Sequence, residues 1–253
     1  MKKVIFHIIL LISVNCFCQN KIINIEYEIF YNTDLPNTQF ANLYINESAN
    51  ESIYIKKPKS KESREIKKEE DNSFTIKYSS KNNSNHMDFK NNALKSIESI
   101  FGEEYLIEEK IPQLKWELID ETKMIDTISV SKAVCEFRGR KYIAWYSLDY
   151  PLKYGPWKLQ GLPGLIFEVY DETKRYNWII KKINYEFIDE KKFMVTIENA
   201  KKIDIKEYPN IKYNNNSIDQ KLMTQLPRGT SISSSEITRN GLEIKFEWEG
   251  KNE

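Results

Sequence analysis

The 253 residues contain two histidines and three cysteines, so the chain has little imidazole or thiol chemistry. His7, Cys16 and Cys18 fall in an N-terminal stretch that reads as an export signal, which leaves His86 and Cys135. A Ser-His-Asp or Cys-His arrangement would have to use His86, beside the polar loop Asn82–Asn85. One histidine and one cysteine cannot build a His/Cys zinc site, so no such metal centre is expected. Acids are plentiful, and oxygen-ligand cation binding stays open. No phosphate-cradling Gly-rich loop or dinucleotide motif occurs, and no cofactor is expected. Glu168, alternating between Ile166 and Tyr170, can point inward with an apolar set, where burial would raise its pKa. It is the best single candidate for general acid/base work, and a weak one.

Two further groups have binding chemistry. Arg138 and Arg140 are expected to share a strand face with Tyr142. Their guanidinium groups would clamp a carboxylate or phosphate, or pair with neighbouring acids. Trp145, Tyr146, Tyr154 and Trp157 would form a stacking platform for a sugar, lipid or peptide, or pack as ordinary core.

These residues must be positioned mainly by strands. Ile23, Ile25, Tyr27, Ile29 and Tyr31 occupy alternate positions, the pattern of a strand with one face buried. Leu242, Ile244, Phe246 and Trp248 alternate with charged residues after Asn240-Gly241, a hairpin-turn dipeptide, and predict another strand. Shorter candidates are Asn42–Asn46, Ser52–Lys56, Ser73–Tyr78, Gln113–Ile119, Arg138–Ser147, Leu165–Tyr170, Arg175–Ile183 and Lys192–Glu198. Many short strands with turns between them argue an antiparallel sheet, which must close, double over or cover its edges. Ser217 and Gln220 form a capping box before Leu222, Met223 and Leu226, predicting one short helix stopped by Pro227 and Gly229. Residues 91–103 read as helix or strand. The charged run Lys56–Asp71 reads as a solvated hairpin extension or loop, with a partner-binding tip as the alternative.

Residues 144–170 read AWYSLDYPLKYGPWKLQGLPGLIFEVY. Pro151 should interrupt pairing. Gly155-Pro156 and Pro163-Gly164 are turn dipeptides, with Gly164 expected at positive φ in a type II turn and Gly161 at another permissive position. The segment predicts a rigid aromatic crossover between two strands.

Here the sequence resembles the GLPGLI family, named for the string Gly161-Leu162-Pro163-Gly164-Leu165-Ile166. The resemblance extends through Ala144-Trp145-Tyr146, Gly155-Pro156-Trp157, Phe137-Arg138-Gly139-Arg140, Lys132-Ala133 and the stretch from Lys115-Trp116-Glu117 to Glu121-Thr122-Lys123. It covers roughly residues 105–185 firmly. It implies an exported protein of Gram-negative bacteria, of uncharacterised activity. It also implies likeness to the N-terminal bowl-like domain of a secreted peptide:N-glycosidase, hence a curved antiparallel sheet or half-barrel with one or two short helices. The enzyme's hydrolytic chemistry belongs to other domains and does not carry over. The family's cysteine before the Lys-Ala pair is replaced by Val130 and Ser131, so no cysteine role carries over to Cys135.

Lys2 and Lys3 precede an apolar run of 11 residues, Val4–Val14, and small side chains at Cys16 and Cys18 precede Gln19. These are the parts of a secretory signal, with cleavage expected after Cys18. A spanning helix needs about 20 apolar residues, so no transmembrane segment is expected in the mature chain. Lipidation at Cys16 or Cys18 is disfavoured, because Asn15 and Phe17 stand where a small residue is usual. The full chain has 38 Lys+Arg against 37 Asp+Glu, and losing the two signal lysines leaves 36 against 37. So balanced a charge draws in neither nucleic acid nor anionic membrane. With Cys135 alone, no intramolecular disulfide is possible. Residues 19–253 are long enough for one self-sufficient β domain.

The expectation is an envelope binding or accessory module located in the periplasm, at the outer membrane or cell surface, or in the medium. Its partner would be an apolar or glycan ligand, or an envelope protein segment, on a concave aromatic face. An assembly partner of an outer-membrane complex and a carboxylate-dependent hydrolase are the alternatives. Enzymatic activity is the less expected outcome.

Overall fold

A computed structural model describes residues 20–57, 64–68, 74–78, 83–100, 103–188, 200–213 and 239–250. The export signal, the capping box at Ser217 and the strand candidate Lys192–Glu198 lie outside the described residues.

The chain forms β1 (Asn20–Tyr31), β2 (Asn37–Asn46), β3 (Glu51–Lys56), β4 (Arg64–Lys68), β5 (Phe74–Tyr78), β6 (Ser84–Asp88) and β7 (Ala93–Ile100). It continues with β8 (Glu103–Lys110), β9 (Glu117–Ile125), β10 (Ile128–Phe137), β11 (Arg140–Ser147), β12 (Leu165–Asp171), β13 (Tyr176–Ile188) and β14 (Lys201–Asp204), then a short helix α1 (Tyr208–Tyr213). Twelve strands make one sheet in the order β14-β8-β7-β6-β3-β2-β1-β13-β12-β11-β10-β9, and β4 and β5 pair separately as a hairpin. All neighbours in the large sheet are antiparallel except β14 and β8. The charged run after Lys56 therefore enters a hairpin extension, and residues 93–100 are strand rather than helix.

Topology requires the sheet to curl. β8 is second from one edge and β9 is the other edge. Ten strand spacings of about 4.8 Å would separate them by roughly 48 Å in a flat sheet. The connection from Lys110 to Glu117 holds only residues 111–116, and seven extended residue steps reach about 25 Å at most. The two ends must face each other across an open bowl. Register shifts after Glu26, Ser131 and Trp145 increase the local twist, as bulges do.

The alternation in β1 is borne out. Ile23, Ile25, Tyr27 and Ile29 are buried on the inner face, and Tyr31 lies opposite Tyr176 of β13. On the same face, Ala133, Ala144, Val169 and Trp178 stand side by side across β10 to β13.

Two strand expectations are corrected. Residues 113–116 are loop, and pairing starts only at Glu117. Residues 242–248 form no strand. They run as an irregular strap across the β10–β11 turn, held by Ile244 and Lys245 N–H groups donating to the Arg138 carbonyl, at 2.9 and 3.2 Å. The reason is competition for partners: side chains capture the strap's carbonyls. Arg140 donates to the carbonyls of Gly241 and Asn240, Tyr142 to that of Leu242 and Tyr213 to that of Glu243.

The crossover from β11 to β12 is compact, as expected. Gly161 N–H donates to the Lys153 carbonyl at 2.8 Å, and Leu165 N–H to that of Tyr150 at 2.9 Å. Gly161 has φ +95°. Gly164 does not have the positive φ expected of a type II turn. Its constraint is proximity: a Cβ there would lie 2.0 Å from the Ser147 carbonyl oxygen. Gly155 is also confined: a Cβ there would lie 2.6 Å from both Ile166 Cδ1 and the Leu159 carbonyl oxygen. Pro156, Leu162, Pro163, Leu165 and Ile166 complete this tight corner, with Leu162, Leu165 and Ile166 buried.

Candidate functional site

The curl leaves an interior cavity of about 170 Å³. Its aromatic lining is Tyr31, Tyr54, Trp157, Tyr176, Trp178 and Tyr208. Trp157 is delivered by the crossover, and Trp178 by β13. Their rings are nearly parallel, at 8° with centroids 6.5 Å apart. Trp157 also packs against Phe137 and Tyr142 and holds φ +56°, an uncommon conformation for a bulky residue. Asn85, paired with Tyr54 across β3 and β6, also lines the cavity with Ser96, Glu98 and Lys212, and the strap adds Leu242 and Glu243.

Buried charge closes one side of the cavity. Lys158, the crossover residue after Trp157, contacts Glu109 Oε1 at 2.6 Å and Glu243 Oε1 at 2.8 Å. Arg138 reaches the same two carboxylates and also Glu247, at 3.2 Å. Two cations and two anions thus neutralise each other out of water, which a single buried ion could not do. Burial opposes ionisation of Glu243, but Lys158 and Arg138 outweigh it and hold its pKa below the ordinary value. Across the cavity, Lys212 donates to Glu98 at 2.7 Å. Burial opposes its charge, but Glu98 prevails and raises its pKa. Burial pushes the Tyr54 phenol well above its usual range, so it remains a neutral hydroxyl. The Tyr54 oxygen accepts from the Trp178 indole N–H at 3.1 Å.

The structure separates the sequence candidates. Trp157 lines the cavity. Tyr154 packs edge-on against Phe89, and Tyr146 is buried in the sheet core. Trp145 lies on the opposite face, in register with Glu168 and beneath the ammonium of Lys123, 4.3 Å from the ring centroid. Of the four only Trp157 lines the cavity, so they form no common platform. Glu168 belongs to that outer face too, ion-paired with Lys123, not inward among apolar residues. Arg138 does not share a strand face with Arg140. It sits in the two-residue β10–β11 turn with φ +46°, followed by Gly139 at +81°, as a type I′ hairpin requires. Both arginines do pair with acids: Arg140 reaches Asp171 at 3.0 Å and lies over the Tyr176 ring. His86 is half-buried, 3.5 Å from Glu51. Cys135 is buried, and burial pushes its thiol up to about 12. Among the described residues no group of three or more His, Cys, Asp or Glu is placed to hold a metal ion.

Sequence reasoning missed Tyr31, Tyr54, Tyr176 and Trp178 as one wall, and missed Lys158 and Glu243 as partners. One signal was present: Lys158 directly follows Trp157 inside the aromatic crossover.

An open antiparallel sheet, curled around an aromatic cavity one ring across, is the class of domain that this fold defines. The fold is similar to that of PNGF-II, a peptide:N-glycosidase, in two crystal forms, C2 and P21, with TM-scores of 0.52 and 0.50 at 14% sequence identity. The match covers 77% of this chain and 33% of that one, so the chain spans about a third of the length of PNGF-II. At that identity the likeness is one of fold alone. A domain described as outer-membrane lipoprotein-sorting, from Vibrio parahaemolyticus, overlays with a TM-score of 0.27 at 9% identity, over 68% of this chain and 88% of that one, and carries no argument. No family model and no curated protein matches the chain.

Proposed function

We propose that this chain is an exported binding module of the GLPGLI kind, which holds one ring-sized group of its ligand in the cavity of the curled sheet. The cavity carries the reading. An engineered apolar cavity of about 150 Å³ takes up a benzene ring, and this one is slightly larger at about 170 Å³. Drug-sized ligands occupy roughly 300 Å³ or more, so a single ring or side chain fits and a long acyl chain does not. The GLPGLI string supports the family assignment. Two lysines, a short apolar core and small residues before Gln19 support export to the periplasm, cell surface or medium. The ligand is an apolar group, a glycan unit or a residue of a partner envelope protein.

Mass spectrometry of material co-purifying with the protein from envelope extracts tests this. The wild type and a Trp145→Ala variant, altered on the outer face, should recover the same compound. An Ile97→Trp variant, which fills the cavity, should not. Equal recovery by all three, or by none, would reject the cavity as the binding site. A hydrolase built on Glu168 has no support in the geometry, since that carboxylate is engaged by Lys123 on the face away from the cavity.

A further inference from the structure

We infer that the group held in this cavity is an uncharged, hydroxyl-bearing six-membered ring, a pyranose in chemical class; the inference rests on the cavity being the binding site. The first argument is charge. Every ammonium on the wall is engaged: Lys158 by Glu109 and Glu243, Lys212 by Glu98, and Lys56 over the Tyr31 ring at 5.6 Å. Glu98 and Glu243 are likewise matched by those cations. A charged ligand group would have to break one of these pairs in a buried site, which is costly.

The second argument is the distribution of hydrogen-bonding capacity. The Tyr54 oxygen accepts from Trp178, but its own proton has no acceptor among the described residues. The Tyr31 hydroxyl makes no hydrogen bond there either. Asn85 uses its carbonyl oxygen to accept from Ser96 Oγ at 2.8 Å, leaving both amide protons unused. Glu98 is engaged by Lys212 and by the Tyr208 hydroxyl. Glu243 uses Oε1 for both Lys158 and Arg138, and its Oε2 has no hydrogen bond among the described residues. The wall thus carries unused neutral donors at Tyr31, Tyr54 and Asn85 and an unused acceptor at Glu243.

The flat faces of Trp157 and Trp178 complete the wall. A plain aromatic or aliphatic ring would satisfy these faces and leave the polar groups buried without partners, which is penalised. A pyranose offers C–H faces to the indoles and a rim of hydroxyls that both donate and accept.

Saturation-transfer NMR on the full mature chain distinguishes the outcomes. The probes are methyl glycosides of neutral hexoses, glucuronate, phenol and indole, each compared on wild type, Tyr54→Phe, Asn85→Leu and Ile97→Trp, with folding checked by circular dichroism. The expected result is transfer to at least one neutral glycoside, weakened about tenfold by Tyr54→Phe, as for one lost hydrogen bond, and abolished by Ile97→Trp. Binding of phenol or indole alone, or tighter binding of glucuronate, would overturn the pyranose inference and leave the cavity standing as a site. Glycoside binding unchanged in all three variants would place the site elsewhere. Binding of no probe would overturn both readings.

Discussion

Glu109 and Arg138 form a buried ion pair although β8 and the β10–β11 turn stand eight strand positions apart in the sheet. Flat, those positions would be separated by roughly 38 Å. The contact is therefore a direct reading of curvature, and it draws the two ends of the sheet together on one side of the cavity. Lys158 and Glu243 complete the cluster, so crossover, strap and both sheet halves meet at four side chains.

Removing one partner of this cluster should cost more than a surface ion pair would. Arg138→Met leaves Glu109 and Glu243 buried against Lys158 alone, and breaking a buried pair in this way costs about 3–5 kcal/mol. Thermal unfolding should show a fall of roughly 10 °C. A change under 2 kcal/mol in urea unfolding would mean that water compensates the carboxylates.

Acid should undo the same contact. The folded-state pKa of Glu243 lies below its ordinary value, so its contribution is present above the unfolded pKa, about 4.3. It is lost as pH falls through the folded value. Urea midpoints measured from pH 7 down to pH 3 should fall below about pH 4.3, and Glu243→Gln should lower the neutral midpoint while flattening that decline. An unchanged slope in the variant would assign the acid sensitivity to other carboxylates.

The crossover glycines should differ in cost for different reasons. Gly161→Ala meets open space and suffers only from φ +95°, a penalty of about 1–2 kcal/mol. Gly164→Ala places a methyl 2.0 Å from the Ser147 carbonyl oxygen, so backbone must move. Denaturant unfolding should find Gly164→Ala the more destabilising of the two, and the reverse order would contradict this packing.

Cys135 should be chemically silent while the protein is folded. With its thiol raised to about 12 by burial, almost no thiolate exists at pH 8. A disulfide-exchange reagent should label it only in denaturant, and rapid labelling of the native protein would show that β10 opens readily.

Several features were legible because they depend on local pattern. The period-two alternation of Ile23 to Tyr31 located β1 and its buried face, since strand side chains alternate whatever the partner. Gly155, Gly161 and Gly164 marked the tight crossover, though not that Gly164 is required by proximity rather than by its φ. The alternation of Leu242 to Trp248 misled for the same local reason. Of the alternating set only Phe246 is fully buried, and Glu243, from the charged set, is buried as well because distant cations neutralise it.

The sequence by itself determined the antiparallel strands, the corner near residue 160 and the scarcity of imidazole and thiol groups. Only the tertiary structure decided which aromatics meet, because Trp157 and Trp178 belong to different elements and Trp145 points to the face away from the cavity. It also decided that Lys158, Glu109, Glu243 and Arg138 form one cluster. Long-range pairing follows from how far the sheet curls, and curvature is summed over twelve strands and their bulges rather than encoded in any one of them.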